Sequence, residues 1–148
     1  HIGVDADSGL VHTVIGTAAN VNDVTQANAL LHGDENEAFG DAGYQGAEKR
    51  PDATGKARWN VAMRPGKRRV LDKSQKSTAL IEQLEHLKAS IRAKVEHSFR
   101  VIKRQFGFTK VRYRGLAKNT AALMTLFALS NLWMARRRLL AMTPEVCP

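Results

Sequence analysis

The sequence predicts an α/β fold in which helices flank a mixed sheet. Three observations carry this. Short runs rich in Val, Ile and Thr, bounded by turn residues, lie within the first 63 residues, and two long helical patterns fill the second half. A content of 43% hydrophobic and 25% charged residues over 148 positions is that of one folded domain with a core, not of a disordered chain. The order strand, strand, helix, strand, helix, strand, long helix, helix packs helices against a sheet.

Ile2–Val4 and Leu10–Thr17 read as strands joined through the turn sequence Asp5-Ala-Asp-Ser-Gly9, so they form a hairpin. Asn22-Asp23 offers a helix cap, and Val24, Ala27, Leu30 and Leu31 give helical spacing up to Gly33. Ala38-Phe39-Gly40 is a short strand running into Asp41-Ala-Gly-Tyr44, and a brief helix follows Gly46. Trp59–Met63 is the next strand, and residues 64–77 form a basic loop. From about Thr78, the residues Ile81, Leu84, Leu87, Ile91, Val95, Phe99, Ile102 and Phe106 recur in steps of three and four, the mark of one long amphipathic helix that stops at Gly107. A basic aromatic linker, 108–116, leads to a last helix over 118–142 packed on the rest. It contains the most apolar stretch, 121–135, which is too short to span a bilayer and reads as a buried core helix. No secretory signal and no cysteine framework are visible, Cys147 being the sole cysteine.

Charge is distributed unevenly. Residues 1–48 hold eight acidic residues and no Lys or Arg, whereas residues 49–148 hold all 23 basic residues and six acidic ones. The second part, at +17, calls for a polyanion, most simply nucleic acid. An acidic segment beside it is unhelpful for phosphate unless its carboxylates hold a cation.

The long helix carries a candidate for that. With Glu96 at zero on a wheel of about 100° per residue, Lys103 falls near roughly −20°, Arg92 near −40° and Arg100 near +40°. The apolar residues occupy a separate arc, between about −60° and −120°. One carboxylate therefore sits among three cations on a face apart from the buried stripe. An Arg92–Glu96 surface pair, worth a few tenths of a kcal/mol, is the simpler reading of that face taken alone. Asp41 follows a short strand, at the end where α/β sheets bind ligands, although Asp before Gly is also ordinary turn chemistry. Together, a strand-end carboxylate, a helix carboxylate and a basic remainder fit metal-assisted phosphoryl transfer on DNA, with Mg²⁺ or Mn²⁺ as a two-ion site and no small-molecule cofactor.

DAGYQG, IRAKVEHSFRVIKRQFGF and KVRYRGLAKN resemble the DDE transposases of bacterial insertion sequences, and most closely the insertion sequence five-type family. That family's glutamate motif runs tyrosine, two residues, arginine, three residues, glutamate, six residues, lysine. Arg92, Glu96 and Lys103 match it, and Ala89 stands at the tyrosine position. Asp41 matches the second catalytic aspartate. The resemblance covers essentially the whole chain. It implies an RNase H-like fold, Asp41 and Glu96 as catalytic metal ligands, and DNA contacts by Arg92, Lys103, Arg100, Arg104, Lys67, Arg68 and Arg69. It also implies Mg²⁺-dependent cleavage and strand transfer at transposon ends and target DNA, by a cytoplasmic, nucleoid-associated protein that forms a homodimer. The first catalytic aspartate of that fold lies on a strand ahead of the hairpin. By the order of its elements the chain begins at the second strand, so 1–148 is expected to be the C-terminal part of the catalytic domain, with two of three ligands. Asp5 and Asp7 read as turn residues, with Asp5 the alternative ligand.

His12, His32, His86 and His97 share no spacing and form no metal set; Trp59 and Trp133 read as core aromatics, and Tyr44 as packing beneath the site, with stacking on DNA the alternative. The competing function is a catalytically inactive DNA-binding or regulatory transposase remnant. A junction-resolvase-like nuclease is disfavoured by the Arg-Glu-Lys spacing.

Overall fold

The computed structural model describes residues 1–53, 56–72 and 74–142; Lys73 of the basic loop, Pro144 and Cys147 lie outside them. Its elements are β1 (Ile2–Val4), β2 (Val11–Val14), β3 (Glu37–Gly40), β4 (Arg58–Val61), α1 (Pro65–Arg69), α2 (Lys76–Arg104) and α3 (Leu116–Ala141), with four single-turn 3-10 helices between β2 and β4. The result is a mixed α/β arrangement with small sheets and flanking helices.

The hairpin forms as the turn chemistry predicts. β1 and β2 pair antiparallel, Ile2 opposite Val14, with an irregularity between Gly3 and Val4. The turn closes through the Asp5 amide on the Leu10 carbonyl at 2.9 Å, and Gly9, at φ +74°, takes the left-handed position that favours glycine. β3 and β4 pair in parallel, Ala38 opposite Trp59 and Gly40 opposite Val61.

The strands do not form one continuous mixed sheet. The two ladders remain separate two-stranded sheets, because no strand among the described residues lies between β1 and β3. A cavity of ≈ 690 Å³ lies there instead, walled by every residue of β1 and of β3 and bordered by Ile91 and Val95 of α2.

Further expectations are corrected. Segment 22–33 is not an α-helix but two 3-10 turns, Asp23–Gln26 and Asn28–Leu30. Asn22 makes no side-chain cap, Thr25 turns its hydroxyl back onto the Asn22 carbonyl at 2.7 Å, and a segment this short pays the nucleation cost of a helix with few bonds in return. Part of the basic loop is helical: Pro65 at the first position starts α1. Lastly, α2 does not bury one stripe. Its N-terminal half buries Thr78 and Glu85 while Leu84 and Leu87 are 54% and 62% exposed; its C-terminal half buries Ser98, Val101 and Ile102. Near its N-terminal half the helix meets the end of β4 through Glu85 and Lys88, and further along it packs with the hairpin and α3.

The main core gathers Val11, Ile102 and Phe127, with Phe99 edge-on to Phe127 at 5.3 Å. Asn131 of α3 clamps β2 by accepting from the Val11 amide at 2.9 Å and donating to the Val11 carbonyl at 2.7 Å. α3 is not a buried core helix: it buries only Phe127 and Ser130, and Leu132, Trp133 and Leu139 are exposed, Trp133 beneath the Arg136 guanidinium at 3.9 Å. No helix among the described residues is long and apolar enough to cross a membrane.

Ser130 is fully buried and its hydroxyl has no hydrogen-bond partner among the described residues. Desolvating an unpaired hydroxyl costs about 1–3 kcal/mol, so Ser130→Ala is expected to stabilise the fold by about 1 kcal/mol. Thermal unfolding checks this, and a lowered midpoint would refute it.

Candidate active site

Asp41 leaves the C-terminal end of β3 and caps the following turn, its Oδ1 accepting from the Gly43 amide at 2.8 Å. Both glycines of this segment are needed for the close approach. A Cβ on Gly40 would lie 2.9 Å from Tyr44 Cβ, and one on Gly43 would lie 2.8 Å from Asp23 Oδ2 and 3.0 Å from Asp41 Oδ1. Tyr44 stacks on Trp59 at 5.8 Å between ring centres, which is the packing role read from the sequence. Burial, and then the charges of Asp23 and Asp41, push its phenol up to about 12, so it stays protonated beside the carboxylates.

Glu96 projects from the exposed side of α2 and makes no ion pair with Arg92 among the described residues. Although 55 residues separate Asp41 from Glu96, both border the cavity between β1 and β3, and Arg92 borders it too. Lys103 does not. With Arg100 and Arg104 it lines a separate shallow groove of ≈ 390 Å³ along α2, and Glu96 belongs to both. Glu96 therefore lies between an acidic cavity and a cationic groove.

Asp5 also borders the cavity, but its Oδ1 is engaged within the hairpin turn by the Ser8 hydroxyl at 2.5 Å and the Ser8 amide at 2.6 Å. Those bonds, the hydroxyl first, hold its carboxyl below the ordinary value. Of the α1 cations, Lys67 and Arg69 are exposed, whereas Arg68 holds the Glu82 carboxylate through Nε and Nη2 and so has its charge matched already. Among the described residues no group of three or more His, Cys, Asp or Glu side chains is placed to hold a metal ion. Asp41 and Glu96 offer the hard oxygen donors that Mg²⁺ takes, but two of them are an incomplete set.

Some neighbours were not legible as such. His12 and His32, 20 residues apart, meet edge to face at 4.4 Å at the cavity, and Glu35 accepts there from the His32 and Gly33 amides. Asp23, read as a helix cap, lies beside Gly43 and 3.1 Å from the His1 imidazole. No sequence spacing signals either grouping, because both are made by the return of the chain after β2.

Residues 1–132 match the family described as Transposase DDE domain. No solved structure matches the chain.

Proposed function

Since the chain belongs to the DDE transposase domain family, we propose that it is the part of an insertion-sequence transposase that carries two of the three acidic ligands for DNA cleavage and strand transfer. The observation that carries this is that Asp41, Glu96 and Arg92 border one cavity and that Glu96 also lines the groove of Arg100, Lys103 and Arg104. The Arg92-Glu96-Lys103 spacing supports the insertion sequence five-type subfamily.

In the reaction a water or a DNA 3′-hydroxyl attacks the phosphorus, and the bond to the leaving oxygen breaks in line. The chemistry a bound divalent ion would supply there is neutralisation of the charge that develops on oxygen. Asp41 and Glu96 are the residues of this chain that would hold Mg²⁺ or Mn²⁺, and Arg92 counters phosphate charge beside them. In an RNase H-like arrangement the space between β1 and β3 takes one more strand bearing the third carboxylate. Both facing edges are unpaired in the described residues, and an unpaired edge is a template for a strand. Transposon ends and target DNA are the substrates in this reading, a second copy of the chain is its partner, and it acts at the bacterial nucleoid.

The second reading, a DNA-binding remnant that does not cleave, rests on the incomplete ligand set. Both readings require DNA. Four phosphate contacts, by Arg92, Arg100, Lys103 and Arg104, should make affinity fall by about a hundredfold or more between 50 and 200 mM salt. Titration of labelled duplex at the two salts tests this; absent binding at low salt, or a flat response, defeats both readings.

A further inference from the structure

The sequence from His97 to Pro144 holds ten Lys and Arg and no Asp or Glu. Its first cations, Arg100, Lys103 and Arg104, form the groove that starts at Glu96. The next, Lys110, Arg112 and Arg114, are exposed on the loop that links α2 to α3. None of these six makes an ion pair among the described residues. Within this loop Tyr113 is 55% exposed, although its backbone is held firmly. Its amide donates to Asn119 Oδ1 at 3.2 Å, and Asn119 Nδ2 donates to the carbonyls of Tyr113 at 2.6 Å and Gly115 at 2.8 Å. Gly115, at φ +86°, makes the bend into α3 that a side chain would strain.

A fixed backbone, an open aromatic ring and an arginine on each side of it in sequence are the parts of a stacking platform among phosphate-binding cations. We propose that Tyr113 stacks on an unpaired base of the DNA strand whose phosphates follow the α2 groove away from Glu96. The partner is single-stranded or frayed DNA rather than intact duplex, since bases inside a duplex already have both faces covered. This rests on the transposase reading and adds to it the state of the strand: the DNA beside the site is opened.

The test uses the full chain with two labelled DNAs, a blunt duplex and the same duplex with a 3′ overhang containing 2-aminopurine. Wild type and Tyr113→Phe are expected to bind the overhang equally and quench its fluorescence. Tyr113→Ala is expected to lose the quenching and about tenfold in affinity for the overhang, the worth of one stacked base, with blunt-duplex affinity unchanged. Equal weakening on both DNAs, or quenching that survives in Tyr113→Ala, overturns the stacking role and leaves the transposase reading standing. Wild type that binds neither DNA defeats that reading, and this proposal with it.

Discussion

Mg²⁺-dependent cleavage of transposon-end DNA is expected to stay at background for the 148-residue chain. It is expected to appear when a strand bearing a carboxylate is supplied to the space between β1 and β3. In that active form Asp41→Asn and Glu96→Gln should each lower the cleavage rate by roughly a thousandfold, about 4 kcal/mol of transition-state stabilisation. The reason is geometric: both carboxylates border one cavity, and neutralising either removes a hard oxygen donor from a set that has none to spare. Binding of DNA should persist in both variants, because the cationic groove is untouched. A gel assay of strand cleavage with Mg²⁺ or Mn²⁺ reads the outcome. Enzyme-like cleavage by residues 1–148 alone would move the third-ligand role to Asp5, which borders the same cavity, and Asp5→Asn would then abolish it. Variants of Asp41 and Glu96 that cleave as fast as the parent would sink the site.

Loss of the buried charge pair on α2 should be the largest stability effect tested. Glu85 is 6% exposed, accepts from the Met63 amide at 2.9 Å and from Lys88 Nζ at 3.0 Å, and Lys88 also donates to the Val61 carbonyl at 3.0 Å. The pair pins α2 to the end of β4. Glu85→Ala leaves the ammonium and the amide without their carboxylate, at a cost of about 3 kcal/mol by denaturant unfolding. The double change Glu85→Leu with Lys88→Met should recover most of it, since no charge is then left stranded. Burial pushes the Glu85 carboxyl up, but the Met63 amide, the Lys88 ammonium and the charge of Arg68 together outweigh it and hold the carboxyl below its ordinary 4.5. A carboxyl depressed in the folded state stabilises above its unfolded value, and that contribution is lost as pH falls through the folded one. The gap between wild type and Glu85→Gln should therefore narrow as pH falls below 4.5. A gap constant from neutral to acid pH, or a cost for Glu85→Ala under about 0.5 kcal/mol, contradicts the assignment.

The sequence by itself determined what is local. Alternating β-branched residues bounded by Asp-Ala-Asp-Ser-Gly make the hairpin wherever they occur, and the three-four spacing from Ile81 to Phe106 makes a helix. It also determined the separation of charge, and it singled out Asp41 and Glu96. Only the tertiary structure decided what those elements face. Leu84 and Leu87 belong to the same periodic stripe as Ile102, yet they are exposed and Glu85 is buried, because α2 passes from one neighbour to another along its length. Periodicity states that a helix has an apolar side; it cannot state where its partners stop. Arg68 carries the same sequence signal as Lys67 and Arg69, and only the approach of Glu82 across 14 residues distinguishes it. The division of the sheet could not be read from the strand patterns themselves: a strand's pattern specifies its faces, whereas its edges are satisfied by whichever chain lies beside it, and that is a property of the assembled fold.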